Sequence, residues 1–439
     1  MSLLTFKGGV HPNDGKKLTK SKAIDEYFPE DGLFAIPLSQ HIGAPATPIV
    51  NVGDRVLVHQ KIGEINGFIS ANVHSSVSGV VKAIEPRKVA NGNKVSCVII
   101  ENDGLYEKCP ITDERKYEDL SREDKLELIK EAGIVGMGGA GFPTHVKLNP
   151  KNPDSIDYII VNGAECEPYL TSDYRRMMEK PEIIVTGLKI ALSLFNNAKG
   201  IIAIEDNKLD AIAKIKKLTA KENNIEVKVL LTKYPQGGER SLIYATTKRT
   251  LDSTRLPADV GCIVHNIDTI YSIYNAVIDK TPLVRRVVTI TGDGVRYPGN
   301  YLVPVGVSIE KLVKDTSEFI DTSSKIISGG PMMGMAIFDT NIPVTKGSSA
   351  VLAFMQDEVS KAKPSNCINC GRCVSACPSR IIPSRLAKMA DNGNEEEFIK
   401  LNGMECVECG SCSYICPAKR QITQSIKTMK KSIIAKRKK

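Results

Sequence analysis

Apolar residues in this chain change rhythm along its length. From about 33 to 104 they come as short runs between Gly and Pro turns. Examples are Leu33-Phe34-Ala35-Ile36-Pro37, Arg55-Val56-Leu57-Val58, Val80-Val81-Lys82-Ala83-Ile84 and Ser96-Cys97-Val98-Ile99-Ile100. Runs of this length, rich in β-branched residues, predict strands. From about 115 to 280 amphipathic stretches alternate with apolar ones. Ser121-Arg122-Glu123-Asp124 is a capping box that opens a helix over 123–132. Strands are expected at 157–162, 200–205 and 225–231, with helices near 173–195 and 207–218. Such alternation predicts an α/β sheet with crossover helices. From about 283 to 350 the pattern is β again, with strands at 286–291 and 300–304 around Gly292-Asp293-Gly294 and a short helix at 308–314. Residues 1 to about 30 are polar, carry Gly8-Gly9 and Asn13-Asp14-Gly15 turn signals, and are expected to form an extended arm.

Composition narrows the class. The chain has 439 residues, long enough for several domains, and is 42% hydrophobic and 25% charged, as an ordinary globular protein is. No run of 18 apolar residues occurs, and Met1-Ser2-Leu3-Leu4-Thr5-Phe6 leads straight into Lys7-Gly8-Gly9, so neither a membrane span nor a secretory signal is expected. The net charge is +9, and seven of the last thirteen residues are basic, which reads either as a solvated helix end or as a docking segment for an anionic membrane or acidic partner. No nucleic-acid reader motif accompanies that charge, so nucleic-acid binding is not expected.

The cysteines carry the chemistry. Cys367, Cys370, Cys373 and Cys377 are spaced C-x2-C-x2-C-x3-C and followed by Pro378; Cys406, Cys409, Cys412 and Cys416 repeat the string before Pro417. This is the bacterial two-cluster ferredoxin signature, in which the fourth thiolate of each run ligates the other cluster. It assigns Cys367, Cys370, Cys373 and Cys416 to one [4Fe–4S] cluster, and Cys406, Cys409, Cys412 and Cys377 to its partner. Zinc sites or a disulfide framework would show paired C-x2-C units, not triplets with a Cys-Pro. Thiolate-ligated clusters and four scattered cysteines (Cys97, Cys109, Cys166, Cys262) point to a reducing compartment.

Two further segments stand out. Val52-Gly53-Asp54-Arg55-Val56 and Ser75-Ser76-Val77-Ser78-Gly79-Val80-Val81 resemble the halves of a biotinyl/lipoyl hammerhead. The turn between them, Phe68 to His74, has no lysine to modify, so the module is read as structural. His41, His59 and His74 are read as surface or loop histidines. Gly136-Met137-Gly138-Gly139-Ala140-Gly141 satisfies G-x-G-x-x-G, but it follows a helix and precedes Phe142-Pro143, which is the wrong context for a Rossmann fold. Its backbone N–H groups could still approach a phosphate or a flat ring.

That loop continues to Phe142-Pro143-Thr144-His145-Val146-Lys147. It is followed by Val161-Asn162-Gly163-Ala164-Glu165-Cys166-Glu167-Pro168, Tyr234-Pro235-Gln236-Gly237-Gly238-Glu239 and Val264-His265-Asn266-Ile267. In this order the four segments resemble the flavoprotein subunit of respiratory complex I. The resemblance implies FMN and NAD(H) in one cavity. Gly136, Gly138 and Lys147 would cradle the FMN phosphate and ribityl chain, within the loop that also holds Gly139 and Gly141. Asn162 and Glu165 would lie along the flavin, and Tyr234, Gly237, Glu239 and Asn266 would close the pocket. Phe142 and Glu167 would meet the nicotinamide nucleotide. Two positions depart from the pattern: Ala164 stands where the family has an aspartate, and His265 where it has an asparagine. Cys166 is read as a buried small residue.

Two ferredoxin motifs and an N-terminal hammerhead extend the resemblance to the RnfC family, which belongs to Rnf complexes, membrane-bound ferredoxin:NAD+ oxidoreductases. It also rests on Phe6-Lys7-Gly8-Gly9-Val10-His11-Pro12 and Gly329-Gly330-Pro331-Met332-Met333-Gly334. It implies an α/β multidomain chain: an arm (1–32), a barrel-sandwich module (33–110), an FMN/NADH-binding α/β domain (111–282), a β-grasp SLBB-like domain (283–355), a two-cluster ferredoxin domain (356–422) and a basic tail (423–439). It further implies electron flow between two [4Fe–4S] clusters, FMN and NAD(H), partner proteins of the complex, and a peripheral place on the cytoplasmic face of the membrane. A flavin-dependent cobalamin reductase of propanediol-degrading microcompartments would use the same modules. A flavin-free electron relay would use only the clusters.

Overall fold

The computed structural model describes residues 3–320 and 323–437, so Lys438 and Lys439 of the basic tail lie outside the described residues. The α/β domain is built on four parallel strands. Tyr158–Gly163 lies between Lys199–Glu205 and Cys262–Asn266, with Ile225–Leu230 beyond Lys199–Glu205. Ile159, Ile160 and Val161 are fully buried, because helices cover both faces and a parallel strand so placed must be apolar on both sides. Helices Pro181–Leu192 and Ile267–Val277 cover one face and helix Glu239–Thr247 the other. The second and third strands step outward on one side, and the fourth crosses to the other side of the first. The strand order therefore reverses between Tyr158–Gly163 and Cys262–Asn266. In open α/β sheets the crevice beyond the carboxyl ends at such a point is where ligands bind.

The helix expected over 173–195 is two helices, Ser172–Glu179 and Pro181–Leu192. Pro181 has no N–H to donate, and it forces Lys180 out of helical geometry, to φ −138° and ψ 52°.

The barrel-sandwich module has two small antiparallel sheets. It does not keep its own core. Phe34, Ile36, Val98 and Ile100 pack in one cluster with Val288, Ile290 and Val303 of the β-grasp domain. Its tip is pinned as well: the buried Lys346 ammonium donates to the carbonyls of Asn72 and Gly133, each at 2.7 Å. His74, expected at the surface, is buried in the short strand Val73–His74.

The arm is more than an extended lead. Ile24–Glu26 adds a parallel edge strand to Gly299–Pro304 of the β-grasp sheet. The buried Asn300 amide donates to the carbonyls of Thr19 and Lys22 and holds the arm there. The basic stretch belongs to a helix with an exposed end. Ile422–Arg437 is one helix whose Ile422, Ile426, Met429 and Ile433 pack with Leu386, Ala387 and Phe398 in the core of the ferredoxin lobe. Apolar residues at helical spacing anchor a helix whose other faces hold the lysines.

Candidate redox site

Asn162 and Asn266 face each other in register at the carboxyl ends of the two strands that flank the reversal. Asn266 caps helix Ile267–Val277, accepting from Asp268 N at 2.8 Å, while its amide donates to Asp173 Oδ2 at 2.7 Å. The glycine loop hangs over this point. Gly138 adopts φ +81°, and a Cβ there would stand 3.1 Å from the Asn266 amide nitrogen. Gly139 has open space where a side chain would go, and Gly138 to Ala140 are exposed. Gly136 N bonds to Phe142 O at 2.8 Å, closing the base of the loop. Gly141 is covered by the barrel-sandwich module, its carbonyl accepting from Ile42 N at 3.2 Å. Phe142 is half-buried beside it.

The other walls come from the remaining segments. The Asn162 amide donates to Gly237 O at 2.8 Å, and Gly237 N donates to Cys166 Sγ at 3.3 Å. Lys147 pairs with Glu239 at 3.1 Å across the mouth. Glu165, at φ +42°, turns its carboxylate to the N–H groups of Asp173 and Tyr174, so it fixes the loop and the following helix. Burial, then the Glu165 carboxylate, pushes Asp173 up to about 7. Burial pushes the Cys166 thiol up to about 12, which keeps it a neutral thiol.

Two lysines that sequence reasoning missed lie under this loop. Lys16 of the arm is buried and donates to the carbonyls of Glu165 (3.0 Å), Glu167 (3.1 Å) and Leu170. Lys208, also buried, donates to Ala164 O at 2.6 Å and pairs with Glu205 at 3.0 Å. Their only sequence signal is position: Lys16 adjoins the Asn13-Asp14-Gly15 turn, and Lys208 follows the strand that ends in Glu205. Glu167 also has partners the sequence did not announce. Its carboxylate accepts from Met332 N (2.7 Å) and Met333 N (2.9 Å) of the β-grasp loop 329–334. A Cβ on Gly330 would overlap the Glu167 side chain, so the glycine is what lets the two segments meet. Burial raises the Glu167 carboxyl above its usual range, against the pull of those two N–H groups.

Beyond this loop lies the ferredoxin lobe. Tyr234, 1% exposed, packs in one cluster with Cys166, Val10, Met332, Ala376 and Cys409. The arm threads the same seam. Val10 and Tyr234 exchange backbone hydrogen bonds at 2.8 Å each, and Gly9 N donates to Ala376 O at 2.8 Å. Lys233 clamps the arm by donating to Phe6 O (2.6 Å) and Gly8 O (2.9 Å). A backbone route thus runs from the pocket wall to Cys377.

The eight motif cysteines fall into two cavities. One is lined by Cys377, Cys406, Cys409 and Cys412, and the other by Cys367, Cys370, Cys373 and Cys416. Each takes three residues from one run and the fourth from the other. The first, inner cavity lies against the Tyr234 cluster through Cys409 and Ala376. Burial pushes its Cys406 and Cys412 thiols up to about 11 and about 12. Glu408 N donates to Cys406 Sγ at 3.4 Å, and the Thr423 hydroxyl stands 3.3 Å from Cys412 Sγ. The outer cavity opens to solvent at Cys367 and Cys370.

Comparison with known proteins agrees with this arrangement. Family models match residues 4–105 (RnfC barrel sandwich hybrid domain), 129–275 (Nuo51 FMN-binding domain), 287–336 (SLBB domain) and 366–420 (4Fe-4S dicluster domain). The RnfC-type component of the Na+-translocating ferredoxin:NAD+ oxidoreductase complex of Acetobacterium woodii is 44% identical over 99% of this chain and 98% of its own length. The chain belongs to the RnfC family. Its counterpart in the proton-translocating complex of Clostridium ljungdahlii is 45% identical over 98% of this chain and 94% of its own length. An air-oxidised NAD+-reducing [NiFe]-hydrogenase structure superposes with a TM-score of 0.52 at 19% identity, over 72% of this chain and 61% of that one, which is a likeness of fold.

The residues of this RnfC family member fit a bound flavin nucleotide. Both ring nitrogens of buried His265, the buried Thr144 hydroxyl and the Gln236 amide nitrogen have no partner within the protein. All come from the segments around the glycine loop, and buried polar atoms are seldom left unpaired. No helix among the described residues is long and apolar enough to cross a membrane.

Proposed function

We propose that this chain is the NAD(H)-handling, electron-transferring component of an ion-translocating ferredoxin:NAD+ oxidoreductase, peripheral to the cytoplasmic face of the membrane. The observation that carries this reading is the placement of the cysteine cavities. One adjoins the flavin pocket through Tyr234, the other faces solvent, and the relatives aligned end to end are named for this reaction. A bound flavin would supply the exchange between two-electron hydride chemistry and one-electron cluster chemistry.

The chain's own residues have distinct tasks. The glycine loop, Lys147 and the orphaned His265 and Thr144 would hold the flavin nucleotide, with Asn162, Gly237, Glu239 and Asn266 around it. Lys16 and Lys208 fix the Glu165–Glu167 loop from below, so that Glu165 keeps its orientation. Phe142 and Glu167 border the nicotinamide position. Cys377, Cys406, Cys409 and Cys412 would hold the inner cluster and Cys367, Cys370, Cys373 and Cys416 the outer. Tyr234 and the arm fill the seam between the pocket wall and the inner cavity and would exclude water from it. No helix among the described residues is long and apolar enough to cross a membrane, and in this reading the movement of ions belongs to membrane-embedded partners. A flavin-free relay has no use for the FMN-type pocket. The microcompartment reductase is not the name carried by the full-length relatives.

Anaerobic reconstitution with iron and sulfide, then cofactor analysis and NADH titration under EPR, tests this. The expected result is one FMN and about eight irons per chain, with the flavin bleaching on NADH. Eight irons without flavin or NADH response would reduce the chain to a relay. Glu167→Ala is expected to raise the apparent KM for NADH with FMN retained, and loss of FMN in that variant would move Glu167 out of the nicotinamide site.

A further inference from the structure

We propose that Glu167 is a positioning residue for the inner cysteine cavity: its carboxylate seats the tip of the β-grasp hairpin, through Met332, on the cluster-binding loop at Gly410. The inference rests on the function proposed above and gives the residue that borders the nicotinamide position a second task at the neighbouring centre.

The hairpin needs an anchor from outside its own sheet. Strands Lys325–Ser328 and Met335–Ile337 pair antiparallel, and the second is the edge of the β-grasp sheet. The tip between them, 329–334, is closed by Gly334 N donating to Gly330 O at 2.8 Å. Pro331, Met333 and Met335 are exposed, so the β-grasp core does not bury the tip. Glu167 supplies the anchor. One oxygen, Oε1, accepts from both Met332 N and Met333 N. Hydrogen bonds to a carboxylate are about twice as strong as those between neutral groups.

That anchor bears on one cysteine motif and not on the other. Gly410 follows Cys409 in the wall of the inner cavity, and a Cβ on it would stand 3.0 Å from Met332 O and 3.8 Å from Met332 Cε. Gly371 has the same place in the outer motif and is also at positive φ, yet a Cβ there would meet nothing within 4 Å. The same local turn is therefore covered at one cavity and open at the other. What covers it is the residue whose N–H Glu167 holds. Met332 also packs with Tyr234 and Cys409. Solvent access is one of the factors that set a cluster's potential, so a carboxylate that holds Met332 down holds water off the inner cavity.

The test uses the full reconstituted chain, with hydrogen exchange of the 329–334 segment and EPR after dithionite reduction read side by side. In Glu167→Ala the Met332 and Met333 amides are expected to exchange about tenfold faster or more. The inner-cluster EPR signal is expected to change and its midpoint potential to rise, because water favours the more negative, reduced state. The outer-cluster signal, the iron content and the FMN content should stay as in the wild-type chain. Glu167→Gln keeps an acceptor oxygen and should return both readouts toward wild type. Gly330→Ala approaches from the loop. Its Cβ would overlap Glu167 Cγ, so it should release the tip as Glu167→Ala does, with the carboxylate still in the chain. Unchanged exchange or an unchanged inner-cluster signal in Glu167→Ala overturns the proposal, and so does a Gly330→Ala chain that keeps the wild-type signal. An inner-cluster change that Glu167→Gln reproduces in full also overturns it, for that assigns the effect to charge alone. Failure of NADH to bleach the flavin would strike the function proposed above and leave the exchange and the dithionite EPR readable.

Discussion

The two cysteine cavities have the same sequence spacing and opposite surroundings. In the inner one Cys377, Cys409 and Cys412 are buried, and Tyr234, Val10 and Met332 pack against it from three other parts of the chain. In the outer one Cys367 and Cys370 are exposed, and the wall comes from the ferredoxin lobe alone. A motif fixes what is bound. Its neighbours fix what lies within reach of the bound group: here the wall of the flavin pocket on one side and solvent on the other. Burial, solvent access and hydrogen bonds to sulfur also set cluster potentials, so two like motifs are not two like centres.

The largest test of that contrast is to delete one centre at a time. Cys409→Ser and Cys370→Ser should each lose about four of about eight irons. In Cys409→Ser, NADH should bleach the flavin yet leave the remaining cluster oxidised by EPR. In Cys370→Ser, the remaining cluster should still be reduced by NADH. Equal behaviour of the two variants would erase the distinction between inner and outer.

A change in the arm should touch one side only. Gly9 sits at φ +87°, and a Cβ there would stand 2.7 Å from Tyr234 O. Gly9→Val should cost about 1–3 kcal/mol of stability from backbone strain and slow the flavin-to-cluster step in stopped flow. Outer-cluster iron should be unchanged. Next in size, limited ferricyanide should destroy the outer-cluster EPR signal before the inner one, since Cys367 and Cys370 are exposed; the reverse order would mean that the arm does not shield the inner cavity.

The smallest effect separates the flavin domain from the lobe. Asp173 is raised to about 7 by burial and by Glu165, above its unfolded value of about 3.9. The unfolded chain therefore loses this proton first as pH rises. The Asp173 contribution to stability is full below about pH 4, falls as pH rises and is gone above about 7. Chemical denaturation of Asp173→Asn should lack that decline, while iron release from the lobe keeps its wild-type pH profile.

Much of this was legible in the chain. The α/β alternation gave the parallel sheet because buried parallel strands must be apolar throughout, and Ile159 to Val161 are. The glycine loop is no Rossmann turn, as its sequence context indicated, since it follows helix Arg122–Glu131 and leads into helix Thr144–Lys147. What was not legible is long-range. Pro181 splits a helix that amphipathic spacing alone runs together. The polar arm hides an edge strand, because its pairing partner lies some 275 residues away at Asn300–Leu302. Lys16 and Lys208 look like surface lysines until the carbonyls they cap are seen.

By itself the sequence determined the chemistry: which cysteines form two sets, which segments make a nucleotide pocket, and that the hammerhead has no lysine to carry a group. Those are consequences of residue type and local spacing, and local spacing is preserved on folding. Only the tertiary structure decided the order of the centres and which of them meets solvent. It also decided that the hammerhead tip is pinned by Lys346 and that Glu167 answers to a loop of another domain. Those depend on contacts between segments far apart in the chain, where burial and hydrogen bonding act and no local pattern records them.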